Sequence, residues 1–245
     1  MNSRTLIAAL VATSLAGAGA TSAETDSIPA EGADLRITPI LHGSLQLEFG
    51  ETVIQVDPWS QGDYSDSPEA DLILVTDIHG DHLDPEMIGK LSGEGTELVV
   101  TAAVAQKLGT GTVLANGESR EIAGVSIEAV PMYNLKRGPE EGKLFHDKGR
   151  GNGYIVTLGG KRIYIAGDTA CIPEMKALTD IDVAFVPMNL PYTMTPEEAA
   201  GCVAAFKPKV VYPYHYRGSD LEAFESALNG VPEVEVRLRE WYPGS

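Results

Sequence analysis

Histidine is scarce in this chain, with 5 in 245 residues. Cysteine is scarcer, at 2, and positive charge is short, with 18 Lys and Arg against 35 Asp and Glu. Each shortage excludes something. A formal charge of −17 repels nucleic acid and anionic lipid surfaces, so neither is an expected partner. Cysteine is absent from residues 1–23, which removes lipoprotein attachment through a cleavage-site Cys. That segment has the parts of a secretory signal: Arg4, an apolar Leu6–Ala16 stretch, and Thr21-Ser22-Ala23 as a small-residue cleavage site. It is too short and too rich in Ala and Gly to be a stable membrane anchor. A periplasmic or secreted location is expected. No repeat period or low-complexity segment stands out, and the remaining chain fits one domain.

What is present is concentrated. The apolar run Asp71-Leu-Ile-Leu-Val-Thr76 predicts a buried strand, and Asp77-Ile78-His79-Gly80-Asp81-His82 follows it directly. Two of the few histidines thus flank an Asp in an exposed turn on a rigid support. Imidazole nitrogen and carboxylate oxygen are the donors that divalent metals prefer. Three further segments put similar groups at strand ends. Gly167-Asp168-Thr169 follows Ile163–Ala166, His215 follows the strand predicted over Lys209–Tyr214, and His42-Gly43-Ser44 lies between two early strands.

Elsewhere the pattern predicts strands at Leu35–Leu41, Ser44–Phe49, Thr52–Asp57, Glu97–Thr101, Val125–Met132, Asp182–Val186 and Val234–Leu238. Tyr154–Leu158 and Lys161–Ala166 make a hairpin around Gly159-Gly160. Helices start at Asp84-Pro85 and Thr195-Pro196, each with a capping residue and Pro at the first position. Shorter ones cover Ala102–Leu108 and Asp220–Leu228. This order suggests sheets packed together with helices outside. Residues 24–34 are small, acidic and Pro-containing, and predict a flexible lead-in. An oxidising compartment permits a bridge between Cys171 and Cys202, but their separation in sequence does not supply the Cα distance it requires, so their pairing stays open.

These motifs resemble the metallo-β-lactamase-fold hydrolases over residues 35–245. The branch most similar contains ascorbate-6-phosphate lactonase-like proteins and N-acyl phosphatidylethanolamine phospholipase D. The family's His-x-His-x-Asp-His corresponds to Asp77-x-His79-x-Asp81-His82, its bridging Asp to Asp168, and its last His to His215. Val56-Asp57-Pro58-Trp59 resembles its Asp-Pro turn, whose Asp shapes the site without binding metal. His42 resembles the branch's early site-adjacent His.

The resemblance implies an α/β (α+β) fold, a four-layer αββα sandwich, in one domain spanning residues 35–245. It implies two metal positions, one made by Asp77, His79 and Asn134 and the other by Asp81, His82, Asp168 and His215. Asp77 and Asn134 stand where the family has His. Carboxylate and amide make a harder, weaker donor set. One or two ions are expected, zinc first, with Mn, Fe or Mg accepted at the altered position. Three carboxylates make the centre less positive, which points to a mildly alkaline optimum. His146, in a glycine-rich loop, is an alternative ligand.

The implied activity is an exported metal-dependent hydrolase that uses a metal-activated water on an ester, lactone or phosphodiester. Asp81, Asp168 and His42 are its candidate catalytic groups. Seven of the 18 basic residues fall between Lys136 and Arg162. Among them Lys148 and Arg150, with His146, are candidate contacts for a small anionic substrate. A non-catalytic binding protein with a degenerate site is the alternative.

Overall fold

The computed structural model describes residues 24–243, and the expected signal segment lies outside them. Two seven-stranded sheets form the middle of the molecule. The first holds, in spatial order, β1 (Asp26–Pro29), β2 (Asp34–Leu41), β3 (Ser44–Phe49), β4 (Thr52–Val56), β5 (Ala70–Leu74), β6 (Ser92–Val100) and β7 (Thr112–Val113). The second runs from β8 (Ser119–Ile122) through β9 (Val125–Met132), β10 (Gly151–Leu158), β11 (Lys161–Ile165), β12 (Val183–Pro187) and β13 (Val210–Tyr214) to β14 (Glu235–Val236). Helices α1 (Pro85–Leu91) and α2 (Ala102–Leu108) follow strands of the first sheet. Helices α3 (Pro173–Lys176), α4 (Pro196–Phe206) and α5 (Leu221–Ala227) follow strands of the second.

Alternation along β5 shows the layering. Leu72 and Leu74 belong to the large core that also holds Ile127, Tyr154 and Val156 from the second sheet. Ile73 and Val75 point the other way, into a smaller core with Met87, Ile88 and Leu91 of α1 and Val104 of α2. Period-two alternation with both faces apolar is what a parallel strand covered on two sides requires. On the second sheet, β11, β12 and β13 are parallel and α4 buries Ala199, Cys202, Val203 and Phe206. A full capping box between Thr195 and Glu198, with Pro196 in the first turn, fixes where α4 starts. The result is the four-layer αββα arrangement.

Some expectations need correction. Residues 24–34 are not a flexible lead-in, because Asp26–Pro29 pairs antiparallel with β2 as an edge strand. Tyr212 Oη, Arg237 Nη1 and Arg239 Nη2 also donate to Asp26 Oδ2 at 2.7, 3.1 and 2.6 Å, which ties that strand to the second sheet. The last strand shrinks to Glu235–Val236, and β7, β8 and α3 were not foreseen. Cys171 and Cys202, whose pairing was open from spacing alone, form a disulfide with Cα atoms 5.5 Å apart. Among the described residues no helix is long and apolar enough to cross a membrane.

Candidate metal centre

Parallel strands deliver the functional groups to one edge. Asp57 follows β4, Asp77 to His82 follow β5, Asp168 follows β11 and His215 follows β13. The crevice outside the carboxyl ends of such strands is where ligands bind in open α/β sheets. His42 joins from the β2–β3 turn. His42, Asp57 and His215 have φ of 58°, 44° and 48°, so three side chains here are aimed by left-handed backbone. Gly43 permits the crowding. A Cβ there would lie 3.1 Å from His215 Cδ2 and 3.3 Å from His82 Cε1.

All five histidines converge at this edge and fall into three groups, two of which share His215. The first is Asp77, His79 and His146, the second is His82, Asp168 and His215, and the third is His42, Asp81 and His215. Asp168 joins them. Its Oδ2 lies 3.2 Å from His146 Nε2 and 3.4 Å from His82 Nε2, and its Oδ1 lies 3.3 Å from His215 Nε2. Asp81 Oδ2 is 3.4 Å from His215 Nε2 and 3.3 Å from His42 Nε2.

A divalent cation fits these donors. The Nε2 atoms of His82, His146 and His215 and Oδ1 of Asp168 are buried without a hydrogen-bond partner among the described residues. Buried polar atoms are ordinarily satisfied, so four orphans in one place call for an explanation. Donors bound tetrahedrally at about 2.0–2.1 Å would stand about 3.3–3.4 Å apart, close to the observed separations.

The supporting residues explain the orientation. Asp57 is fully buried and accepts from Thr76 N at 2.7 Å, Thr76 Oγ1 at 2.5 Å and His82 Nδ1 at 2.7 Å. This carboxylate fixes the proton on Nδ1 and leaves Nε2 as the donor. Burial pushes the Asp57 carboxyl up, and the His82 imidazole and Thr76 pull it back. Burial works against a charged His82, but Asp168 and Asp57 outweigh it and hold His82 well above its ordinary value. Burial likewise opposes ionisation of Asp168, and His215 and His82 overcome it, so Asp168 sits well below the usual carboxylate range. This excess of buried carboxylate is what a divalent cation would satisfy.

Asn134 is corrected from a ligand to a positioning residue. Its Oδ1 accepts from His146 N at 2.9 Å and His146 Nδ1 at 2.8 Å, and its Nδ2 donates to Tyr192 O at 2.8 Å. It has no free donor atom, but it presents His146 Nε2 as Asp57 presents His82 Nε2. His146 therefore stands where the family pattern left a gap.

Asp77 is not a bare extra charge. Arg150 Nε and Nη2 donate to Oδ1 and Oδ2 at 3.1 Å each, a two-pronged contact. Asp77 has no exposed surface, and the guanidinium offsets its charge. The expectation of a less positive centre, and of an alkaline optimum resting on it, is withdrawn. Burial opposes ionisation of Asp77, and the His79 hydrogen bond and neighbouring imidazoles still bring it to about 2.

Two expected substrate contacts lie elsewhere. Arg150 is committed to Asp77. Lys148 donates to Glu174 at 2.6 Å, covers the Tyr133 ring at 4.9 Å and does not line the cavity. The cavity over the clusters has a volume of about 600 Å³ and is lined by His42, His79, Asp81, His146, Asp168 and His215 on its floor. Exposed Leu190, Pro191, Tyr192 and Arg217 and half-buried Phe145 line its outer part, while buried Asn189 also lines it, with Nδ2 3.5 Å from His215 Nδ1. Sequence reasoning missed Arg217, whose only signal was its place two residues after His215.

Comparison with known proteins agrees with this site. The β-lactamase superfamily domain matches residues 36–215. A UPF0173 metal-dependent hydrolase of Pyrococcus abyssi is 35% identical over 214 residues, covering 80% of this chain and 92% of that protein. One from Thermus thermophilus is 35% identical over 184 residues, covering 71% of this chain and 80% of that protein. A crystal structure described as a metal-dependent hydrolase from Parabacteroides distasonis superposes with a TM-score of 0.84 at 46% identity. It covers 90% of this chain and 100% of its own. With the matched domain spanning most of its length, the chain belongs to the β-lactamase superfamily and is a metal-dependent hydrolase of the metallo-β-lactamase fold.

Proposed function

We propose that the protein is an exported hydrolase of small anionic esters, lactones or phosphodiesters, with metal held by the clusters that share Asp168. Asp77, His79, His146 and Asp168 would hold one ion, and Asp81, His82, Asp168 and His215 would hold the other. The observation that carries this reading is the set of orphaned Nε2 atoms facing Asp168. When bound, a divalent ion, zinc first with Mn, Fe or Mg as alternatives, supplies Lewis acidity and lowers the pKa of a water.

The chain's own groups do the rest. Asp57 and Asn134 keep the ring protons of His82 and His146 on Nδ1. Asp168 and Asp81 orient the attacking water through their carboxylate oxygens. His42 takes its proton and passes it toward the leaving group. Burial pulls His42 down to about 4, so it is neutral at pH 7 and able to accept. The ring is held between Tyr242 Oη, 2.6 Å from Nδ1, and Asp81 Oδ2, 3.3 Å from Nε2. The acidic surface argues against nucleic acid as substrate.

Export is supported by the Cys171–Cys202 bridge, since disulfides persist in oxidising compartments. Recovery outside the cytoplasm of a chain beginning at Glu24 checks that half of the reading. The activity is tested on a panel of esters, lactones and phosphodiesters with several added metals, comparing the parent with Asp168→Ala. The variant should lose metal and on the order of 100-fold or more in rate. If no substrate is turned over faster by the parent than by Asp168→Ala, the assignment of Asp168 fails.

A further inference from the structure

The mouth of the cavity has two unlike walls. Leu190 and Tyr192 are 49% and 44% exposed, and they account for two of the four large apolar side chains so exposed among the described residues. Phe145 meets the Tyr192 ring edge-on at 5.0 Å. This apolar wall is held in place, because Tyr192 O accepts from Asn134 Nδ2 at 2.8 Å and Asn189 N donates to Thr193 Oγ1 at 2.7 Å.

Arg217 supplies the other wall. Six of the eight described arginines hold a carboxylate. Arg217 holds none within ion-pair distance among the described residues, in a chain with 35 acidic and 18 basic residues. Its guanidinium carbon lies 5.9 Å from the Tyr242 ring centre, and its backbone N–H donates to Tyr242 Oη at 2.9 Å. The same hydroxyl bonds His42, so Arg217 is fastened to the catalytic network. A planar fork left without a carboxylate suits a carboxylate or phosphate group of a ligand.

We propose that this cavity selects substrates with an apolar, ring-bearing arm and an anionic group, the arm against Leu190, Tyr192 and Phe145 and the anion on Arg217. The assignment deepens the hydrolase reading and rests on it. A cavity of about 600 Å³ is large enough for such a molecule. Polar walls alone would not require two exposed apolar side chains beside a metal cluster, and apolar walls alone would not require an uncommitted guanidinium.

Binding, measured without turnover, separates this inference from the hydrolase reading. Metal-loaded protein is titrated calorimetrically with phenylphosphonate and with methylphosphonate, for the parent, Arg217→Gln and Tyr192→Ala. Affinities are referred to the metal-loaded fraction found by metal analysis. The parent should bind the phenyl compound about tenfold more tightly, as expected for burying a ring. Tyr192→Ala should remove most of that preference. Arg217→Gln should weaken both compounds by about tenfold, as expected for losing a charge-assisted pair. Equal affinity of the parent for the two compounds overturns the apolar half. Unchanged affinity in Arg217→Gln shows that the phosphonate is held by metal alone and overturns the anionic half. No binding by the parent overturns both, while the turnover comparison with Asp168→Ala stands apart.

Discussion

Removing the bridge between Cys171 and Cys202 should destabilise the protein without emptying its metal centre. Cys171 lies three residues after Asp168, in the loop that leaves β11, and Cys202 is buried in α4. The bridge closes a loop with a sequence separation of 31. In the chain-entropy description, cross-linking such a loop removes about 12 cal/mol/K from the unfolded ensemble, or about 3.7 kcal/mol at 25 °C. For a chain of this size that corresponds to about 7–15 °C in Tm. The perturbation is the double substitution Cys171→Ser with Cys202→Ala, beside reduction of the parent. The assay is urea unfolding with and without reductant, joined to metal analysis. Reduction should lower the parent's midpoint to near that of the variant, and the variant should ignore reductant. Metal per chain should be retained, because neither sulfur belongs to the clusters. Two titratable thiols in unfolded, unreduced parent would refute the reasoning, as would a midpoint that reductant does not move.

Arg150→Met leaves Asp77 buried without its compensating cation, and should cost about 2–3 kcal/mol in metal-free protein, below the full value for a buried pair because Arg150 is 20% exposed. Saturating metal should recover part of that loss, since a cation at the cluster takes over the compensation; equal losses by urea unfolding with and without chelator would show that Asp77 does not face the metal. Burial opposes ionisation of Asp26, but Tyr212, Arg237 and its other donors prevail and hold its pKa below 3.8. Its contribution is therefore complete above that unfolded value and is lost as pH falls through the lower folded one. Asp26→Asn should cost about 1–2 kcal/mol at pH 7, discounted for partial exposure, and should flatten the decline of stability below pH about 4. A parallel decline in parent and variant would contradict this.

Much of the centre was legible because it is written locally. An apolar run followed at once by Asp77 to His82, and a second followed by Asp168, place donors at strand ends in plain sequence. Helix starts at Asp84 and Thr195 were legible for the same reason, since caps act within one turn. What escaped depends on partners far away. The Arg150–Asp77 contact spans 73 positions, and Arg150 alone looks like any solvated charge. Asn134 took the place of a ligand in sequence order, and only its bonds to His146 and Tyr192 reveal a different task. The first strand has polar residues and a Pro, and only its pairing with β2 and the Asp26 contacts order it. The disulfide needed a Cα separation that no spacing supplies.

The clusters draw on both sheets. His42, Asp77, His79, Asp81 and His82 follow strands of the first, whereas His146, Asp168 and His215 come from segments beside the second. A growing chain therefore lacks the donors of the second sheet until that sheet is made, and lacks His215 until β13 has docked. Metal loading becomes a late event in the life of the chain, and an ion, once seated, marks a molecule whose two halves have already found each other.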